Sequence, residues 1–117
     1  MNKNNLIRDR TYQFSLSIIG LYRELNKQKE FVLSKQLLRS GTSIGANVEE
    51  ATAGQSRKDF ISKMSIASKE ARETNYWLRL LRDSKLLKDI DYDDYIGKCE
   101  ELIKILTSIV KTSQKNN

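Results

Sequence analysis

Proline and histidine are both missing from this 117-residue chain, and cysteine occurs once, at Cys99. Without proline nothing obliges a helix to kink or stop, so long helices are allowed. Without histidine, and with one cysteine, the usual metal clusters and the Ser–His–Asp and Cys–His nucleophile systems are excluded. Carboxylates alone could hold magnesium, but the Glu-x-x-His pairs of di-iron bundles are absent. No metal or cofactor is therefore expected. The lone cysteine cannot form an internal bridge, and helical spacing puts it on an apolar face, as a buried thiol in a reducing compartment. No apolar run approaches the roughly 20 residues needed to span a membrane. The opening Met1-Asn2-Lys3-Asn4-Asn5 lacks the apolar core of a signal peptide. The expectation is a soluble, cytoplasmic protein with no membrane partner, folded as one domain over residues 1–117.

Basic residues are in excess, 21 against 15 acidic. The excess is concentrated in residues 55–88, which hold nine Lys and Arg against four Asp and Glu, whereas residues 89–117 hold four against six. A basic balance of this size favours polyanions through counterion release, although solvated basic helices are common.

Apolar residues recur at helical spacing along the whole chain, and strand-like alternation occurs nowhere. Four helices are expected, at about 5–26, 34–54, 57–83 and 91–113. The first carries Ile7, Phe14, Ile18, Leu21, Tyr22 and Leu25 on one stripe, with Ile19 beside it. Ser34 is the expected N-cap of the second, with Leu33 and Leu38 as a hydrophobic staple. That second helix is the centre of the arrangement. Leu37, Gly41, Ile44, Val48 and Ala51 share a face, flanked by Ser40, Ser43, Gly45 and Ala46. Each glycine inside a helix costs about 1 kcal/mol relative to alanine, so Gly41 and Gly45 imply close approach of another backbone. Gly54 is expected to end the helix in a left-handed conformation. Ser56 caps the third helix, with Asp59 as the acidic half of a capping box. Its face is Phe60, Met64, Ala67, Ala71, Thr74, Leu78 and Leu81, widened by Ile61, Trp77 and Leu80. Leu86, Leu87 and Ile90 are expected to tuck the next connection against the bundle end. Asp91 caps the fourth helix, whose face is Tyr95, Cys99, Leu102, Ile103, Leu106, Ile109 and Val110, and the tail Gln114–Asn117 is expected to fray. Matched lengths and short connections predict an all-α, antiparallel up-down-up-down four-helix bundle.

Two polar sets stand out. Arg39, Ser43, Asn47 and Glu50 line one flank of the second helix, and Glu73 on the third could face them. A half-buried structural network is the stronger reading, because no acid is paired with a tunable base. The second set is Arg57, Lys58, Lys63, Lys69, Arg72, Arg79 and Arg82, a basic stripe suited either to solvent or to phosphate backbones without regard to sequence. Tyr76 and Trp77 lie close enough to offer stacking, though an apolar interface suits Trp77 better. No catalytic residue is expected.

The run Leu37-Leu38-Arg39-Ser40-x-x-Ser43-Ile44-Gly45-Ala46-Asn47-Val48-Glu49-Glu50-Ala51 resembles the signature of the four-helix bundle protein family. That family is also called the ribosomal RNA intervening-sequence protein family. Asp59-Phe60-Ile61 and Ile66-Ala67-Ser68-Lys69-Glu70-Ala71-Arg72-Glu73-Thr74-x-Tyr76-Trp77-Leu78 resemble its second signature. Cys99-Glu100-Glu101-Leu102-x-x-Ile105-Leu106-Thr107-Ser108-Ile109 is similar to its last helix. Arg39, Ser43, Asn47, Glu50 and Glu73 fall on positions the family marks. Glu49-Glu50-Ala51 departs from members that have glycine after the acidic residue. The resemblance implies a small bacterial protein, often encoded within inserts in large-subunit ribosomal RNA genes, assembled as a homopentamer around a central channel. A related branch, the accessory variability protein of diversity-generating retroelements, binds nucleic acid and a reverse transcriptase, and for most members no activity is established. The combined expectation is a non-enzymatic, homo-oligomeric ring that binds structured RNA or DNA through basic surface. The alternative is an interaction scaffold or accessory subunit for a protein partner such as a reverse transcriptase.

Overall fold

Uninterrupted by proline, the apolar stripes wind into four helices: α1 (Lys3–Lys27), α2 (Leu33–Thr52), α3 (Arg57–Ser84) and α4 (Tyr92–Lys115). The computed structural model describes residues 2–116. Met1 and Asn117, the outermost residues of the expected 1–117 domain and the last of the expected frayed tail, lie outside the described residues. No strand occurs among the described residues, and the chain forms an all-α four-helix bundle of 47 × 24 × 20 Å. The tail stays helical through Lys115, with the Asn116 amide donating to the Thr112 carbonyl. No described helix is long and apolar enough to cross a membrane.

The expected faces meet in one core. Ile7, Phe14, Ile18, Leu21 and Leu25 of α1 pack with Leu37, Ile44, Val48 and Ala51 of α2. Met64, Ala67, Ala71, Leu78 and Leu81 of α3 and Cys99, Leu102, Leu106 and Ile109 of α4 complete it. Thr11, Tyr92 and Ile96 are also buried and were not expected. Thr11 enters an apolar core because its hydroxyl donates back to the Ile7 carbonyl, 2.8 Å away. Ile19 differs in the other direction: it faces outward and is 41% exposed. Leu86 is likewise exposed, while Leu87 and Ile90 do pack against the core.

α2 is not the hub of all three other helices. It packs against α1 and α3 and lies diagonally opposite α4, with no close backbone approach between them among the described residues. The thinnest seam is that between α1 and α4. Its glycines nevertheless sit where neighbours come closest. A Cβ on Gly45 would lie 3.3 Å from the Thr11 carbonyl oxygen, and one on Gly41 would lie 2.8 Å from the Ile18 Cγ2. The first is approach of a backbone, the second of a branched side chain.

Two local expectations are corrected. Ser34 is not a cap, because α2 begins one residue earlier, at Leu33. Its amide instead donates to the Glu30 carboxylate at 2.7 Å, and the Val32 amide donates to the other oxygen at 3.4 Å. A long side chain from the preceding connection thus satisfies two amides at the helix start that have no intrahelical partner. The Ser34 hydroxyl, left free of that role, is buried and bonds the Asn26 side chain. Glu30→Ala is expected to destabilise the chain by about 1 kcal/mol, read as a lower urea midpoint with unchanged slope. Gly54 does end α2, but no described glycine has a positive φ. A Cβ there would meet the Asp59 carboxylate at 2.7 Å and the Ala51 carbonyl at 3.0 Å, so crowding rather than handedness calls for glycine. The left-handed positions are Lys29, Lys85 and Asp89, all in the connections at the opposite end. Ser56 and Asp91 cap as expected, accepting from the amides of Asp59 and Asp94.

Candidate functional site

The flank residues of α2 do not join into a single network. The Ser43 hydroxyl donates to the Arg39 carbonyl at 2.6 Å, and the Asn47 amide donates to the Ser43 carbonyl at 2.8 Å. Both side chains are therefore satisfied within their own helix, one turn back. Glu50 reaches across to Lys63, 3.6 Å away. Arg39 makes the real connection to α3: it pairs with Glu70 at 3.3 Å and with Glu73, whose carboxylate also accepts from the Trp77 indole at 3.3 Å. Glu70, missed by sequence reasoning, is the most enclosed carboxylate of this group, its side chain 11% exposed. Its position was legible in retrospect, since it precedes core residue Ala71 and lies one turn before core residue Thr74. Below it, the Thr74 hydroxyl bonds the Ser40 hydroxyl at 2.9 Å and the Glu70 carbonyl at 2.8 Å, both inside the core. The whole assembly clamps α2 to α3. Arg39 supplies a planar fork to two carboxylates, and the indole fixes one of them. It leaves no open, acid–base-paired cleft.

The seven basic residues fall into distinct settings. Lys63 sits at the α2 seam beside Glu50. Arg82 is bound to Asp83 at 2.8 Å and Asp93 at 2.9 Å. Asp83 bonded to this guanidinium is held below the usual carboxylate range, and Arg82 is held protonated even more firmly than usual. Those two cations thus have their charge largely met within the chain. Arg57 donates to the Ser113 carbonyl at 3.3 Å and Arg79 to the Asn75 side chain at 2.8 Å, neither of which neutralises a charge. Lys58, Lys69, Arg72 and Arg79 are all exposed and have no carboxylate within 4.0 Å among the described residues. At 100° per residue, Lys58 and Lys69 point directly away from the core face, with Arg72 beside them. Tyr76 shares that outward direction, is 49% exposed, and meets Trp77 edge-on with ring centroids 5.1 Å apart. Trp77 itself is half-buried against the core.

Arg72 leads to a second basic feature. Its Nη2 donates to the Thr107 hydroxyl of α4 at 3.2 Å, at the wall of a groove of about 850 Å³. Lys104, Lys111 and Lys115 line the same groove. Sequence reasoning left these lysines outside the basic set, which followed the excess in residues 55–88. All six acids of residues 89–117 precede Leu102, however, and residues 102–117 contain none. Counting charge by half-helix instead of by helix would have found them.

Comparison with known proteins follows the same architecture. The 23S rRNA-intervening sequence protein family matches residues 3–108. A solved structure from Bacteroides thetaiotaomicron VPI-5482, a protein of unknown function from the S23 ribosomal protein family, is 50% identical to this chain. It superposes with a TM-score of 0.89, over 94% of this chain and 99% of that one. No curated protein matches.

Proposed function

The chain belongs to the 23S rRNA-intervening sequence protein family, and on that footing we propose that it is a non-enzymatic, cytoplasmic bundle that binds structured RNA or DNA as a homo-oligomeric ring. The observation that carries the reading is the outward face of α3. There Lys58, Lys69, Arg72 and Arg79 stand exposed with no carboxylate within 4.0 Å among the described residues. Arg57 extends the set at the α4 seam. Lys63 and Arg82 would join it only by exchanging their present carboxylates for phosphates. Such contacts position a polyanion without reading its sequence.

An up-down-up-down course is supported by the register of the pairs. Ile18 lies against Gly41, Thr11 against Gly45 and Arg8 against Glu49. Between α2 and α3, Arg39 lies against Glu70 and Glu50 against Lys63. Assembly is supported by Tyr12, Leu16 and Ile19, which are 59%, 49% and 41% exposed and follow one another at helical spacing on α1. As a pentamer, the state the family resemblance implies, the ring would carry about +30, five times +6. Weak contacts repeated by symmetry then add through multivalency. The same apolar α1 face favours the second reading, a scaffold or accessory subunit holding a nucleic-acid-processing protein such as a reverse transcriptase.

Light scattering coupled to gel filtration, with and without a labelled RNA hairpin, tests assembly and binding together. The expected result is an oligomer that retains the hairpin at low salt and releases it as salt rises. Salt-independent retention, or none at any salt, overturns the nucleic-acid reading. A partner captured from lysate that survives nuclease treatment supports the scaffold instead.

A further inference from the structure

We propose that the groove between Arg72 and the α4 lysines Lys104, Lys111 and Lys115 is a channel for the phosphodiester backbone of a single-stranded nucleic acid, held without reading its bases. The inference rests on the nucleic-acid reading above and moves its principal contact from the face of α3 to the seam between α3 and α4.

The three lysines stand at i, i+7 and i+11 on α4, so their stems rise from one face. Their steps along the axis are about 10 Å and about 6 Å. None has a carboxylate within 4.0 Å among the described residues. Arg72 faces them from α3. Its bond to Thr107 holds the guanidinium at the groove wall while using one of five donors, leaving the others for an incoming oxygen. Among the described residues the groove lining holds four cations, several hydroxyls and no acid. The nearest acidic residue before Lys104 on α4 is Glu101, which is occupied by Arg10 of α1. The C-terminal end of α4 contributes only about half a negative charge, so the field over the groove stays positive.

Two features make the ligand a backbone and not a base. Lysine, arginine and hydroxyl side chains are the groups that bind phosphate oxygens. Among the described residues the lining also contains no aromatic ring on which a base could stack. The form of the groove suits a single strand: its cations follow one another along the helix, and a flexible strand can lay successive phosphates onto them. Structured RNA presents such strands in its loops and ends.

The test is fluorescence anisotropy across a salt series, using labelled oligouridylate, oligoadenylate and a blunt DNA duplex as probes. The intact chain is compared with Lys104→Gln/Lys111→Gln/Lys115→Gln and with Lys58→Gln/Lys69→Gln. Glutamine has nearly the helix propensity of lysine and the sites are exposed, so both variants keep the fold, checked by circular dichroism. The groove variant is expected to lose roughly tenfold or more in affinity at low salt, equally for both single-stranded probes. Its slope of log affinity against log salt should fall by about 2, three phosphates at about 0.7 each. An unchanged slope in the groove variant alongside a reduced one in the α3 variant overturns the channel and leaves nucleic-acid binding standing. A loss confined to one single-stranded probe, or a larger loss for the duplex, also overturns it. No binding of any probe by the intact chain overturns both.

Discussion

Gly41→Val is expected to destabilise the bundle by about 3 kcal/mol, lowering the urea midpoint by roughly 1.5 M at fixed protomer concentration. The reason is local. A Cβ at this position would fall 2.8 Å from the Ile18 Cγ2 and 3.0 Å from its Cγ1. Ile18 is fully buried and β-branched, so its methyl groups have no alternative rotamer to retreat into. Valine adds two further carbons to the clash. The expected gain in helix propensity over glycine, less than about 1 kcal/mol, is too small to offset this. Ile18→Ala alone should cost about 2–5 kcal/mol by opening a cavity. In that background Gly41→Val fills part of the vacated space, so the two effects should fall short of additivity by more than about 1 kcal/mol. Strict additivity would show that the crowding at Gly41 is not what the glycine relieves. Gly20 and Gly97 supply the control of opposite sign. A Cβ at either meets nothing within 4 Å, and alanine there should stabilise by about 0.5–1 kcal/mol.

That contrast marks how far the residue pattern itself reaches. The stripes of α2 and α3 were legible because period and residue size agree: each expected apolar position on α2 is buried, as are Met64, Ala67, Ala71, Thr74, Leu78 and Leu81 on α3. What spacing cannot reveal is which neighbour stands opposite. Gly20 and Gly41 look alike in the sequence, yet one faces water and the other a branched side chain. Ser34 looks like a cap, but Glu30 is long enough to reach the same amides and displaces it. Ile19 borders the α1 stripe closely enough to be read as part of it, and only the placement of α2 and α4 leaves it outside. The basic residues show the same limit. Arg82 and Arg79 are the same letter, but Asp83 and Asp93 occupy one and not the other. Membership of a set of helices was encoded locally; the pairing of charges across seams was not.

Alkaline pH supplies the other large effect, through Cys99. Burial, with the nearby Glu100 charge as a smaller cause, pushes its thiol up to about 12 from an ordinary value of 9.0. The thiol is fully enclosed and donates to the Ala71 carbonyl at 3.2 Å, a bond available only to the protonated form. At pH 8 about one native molecule in ten thousand would hold a thiolate, against about one in ten when unfolded. Alkylation by iodoacetamide should therefore be about a thousandfold slower in the native chain than in urea, before steric exclusion is counted. The same difference sets a stability slope. Below about pH 9 both states keep the proton and the stabilisation is fully present. Above it the unfolded chain releases its proton first, and stability falls by about 1.4 kcal/mol per pH unit until the native thiol ionises near 12. The loss over that window is on the order of 4 kcal/mol. Tyr92, raised chiefly by burial and further by Glu30, acts in the same direction. Cys99→Ala should lower the stability curve near neutrality and flatten its alkaline limb, leaving the part due to Tyr92. Urea midpoints for the two chains between pH 8 and 11 decide the matter: parallel limbs would mean that the buried thiol contributes nothing to the alkaline decline.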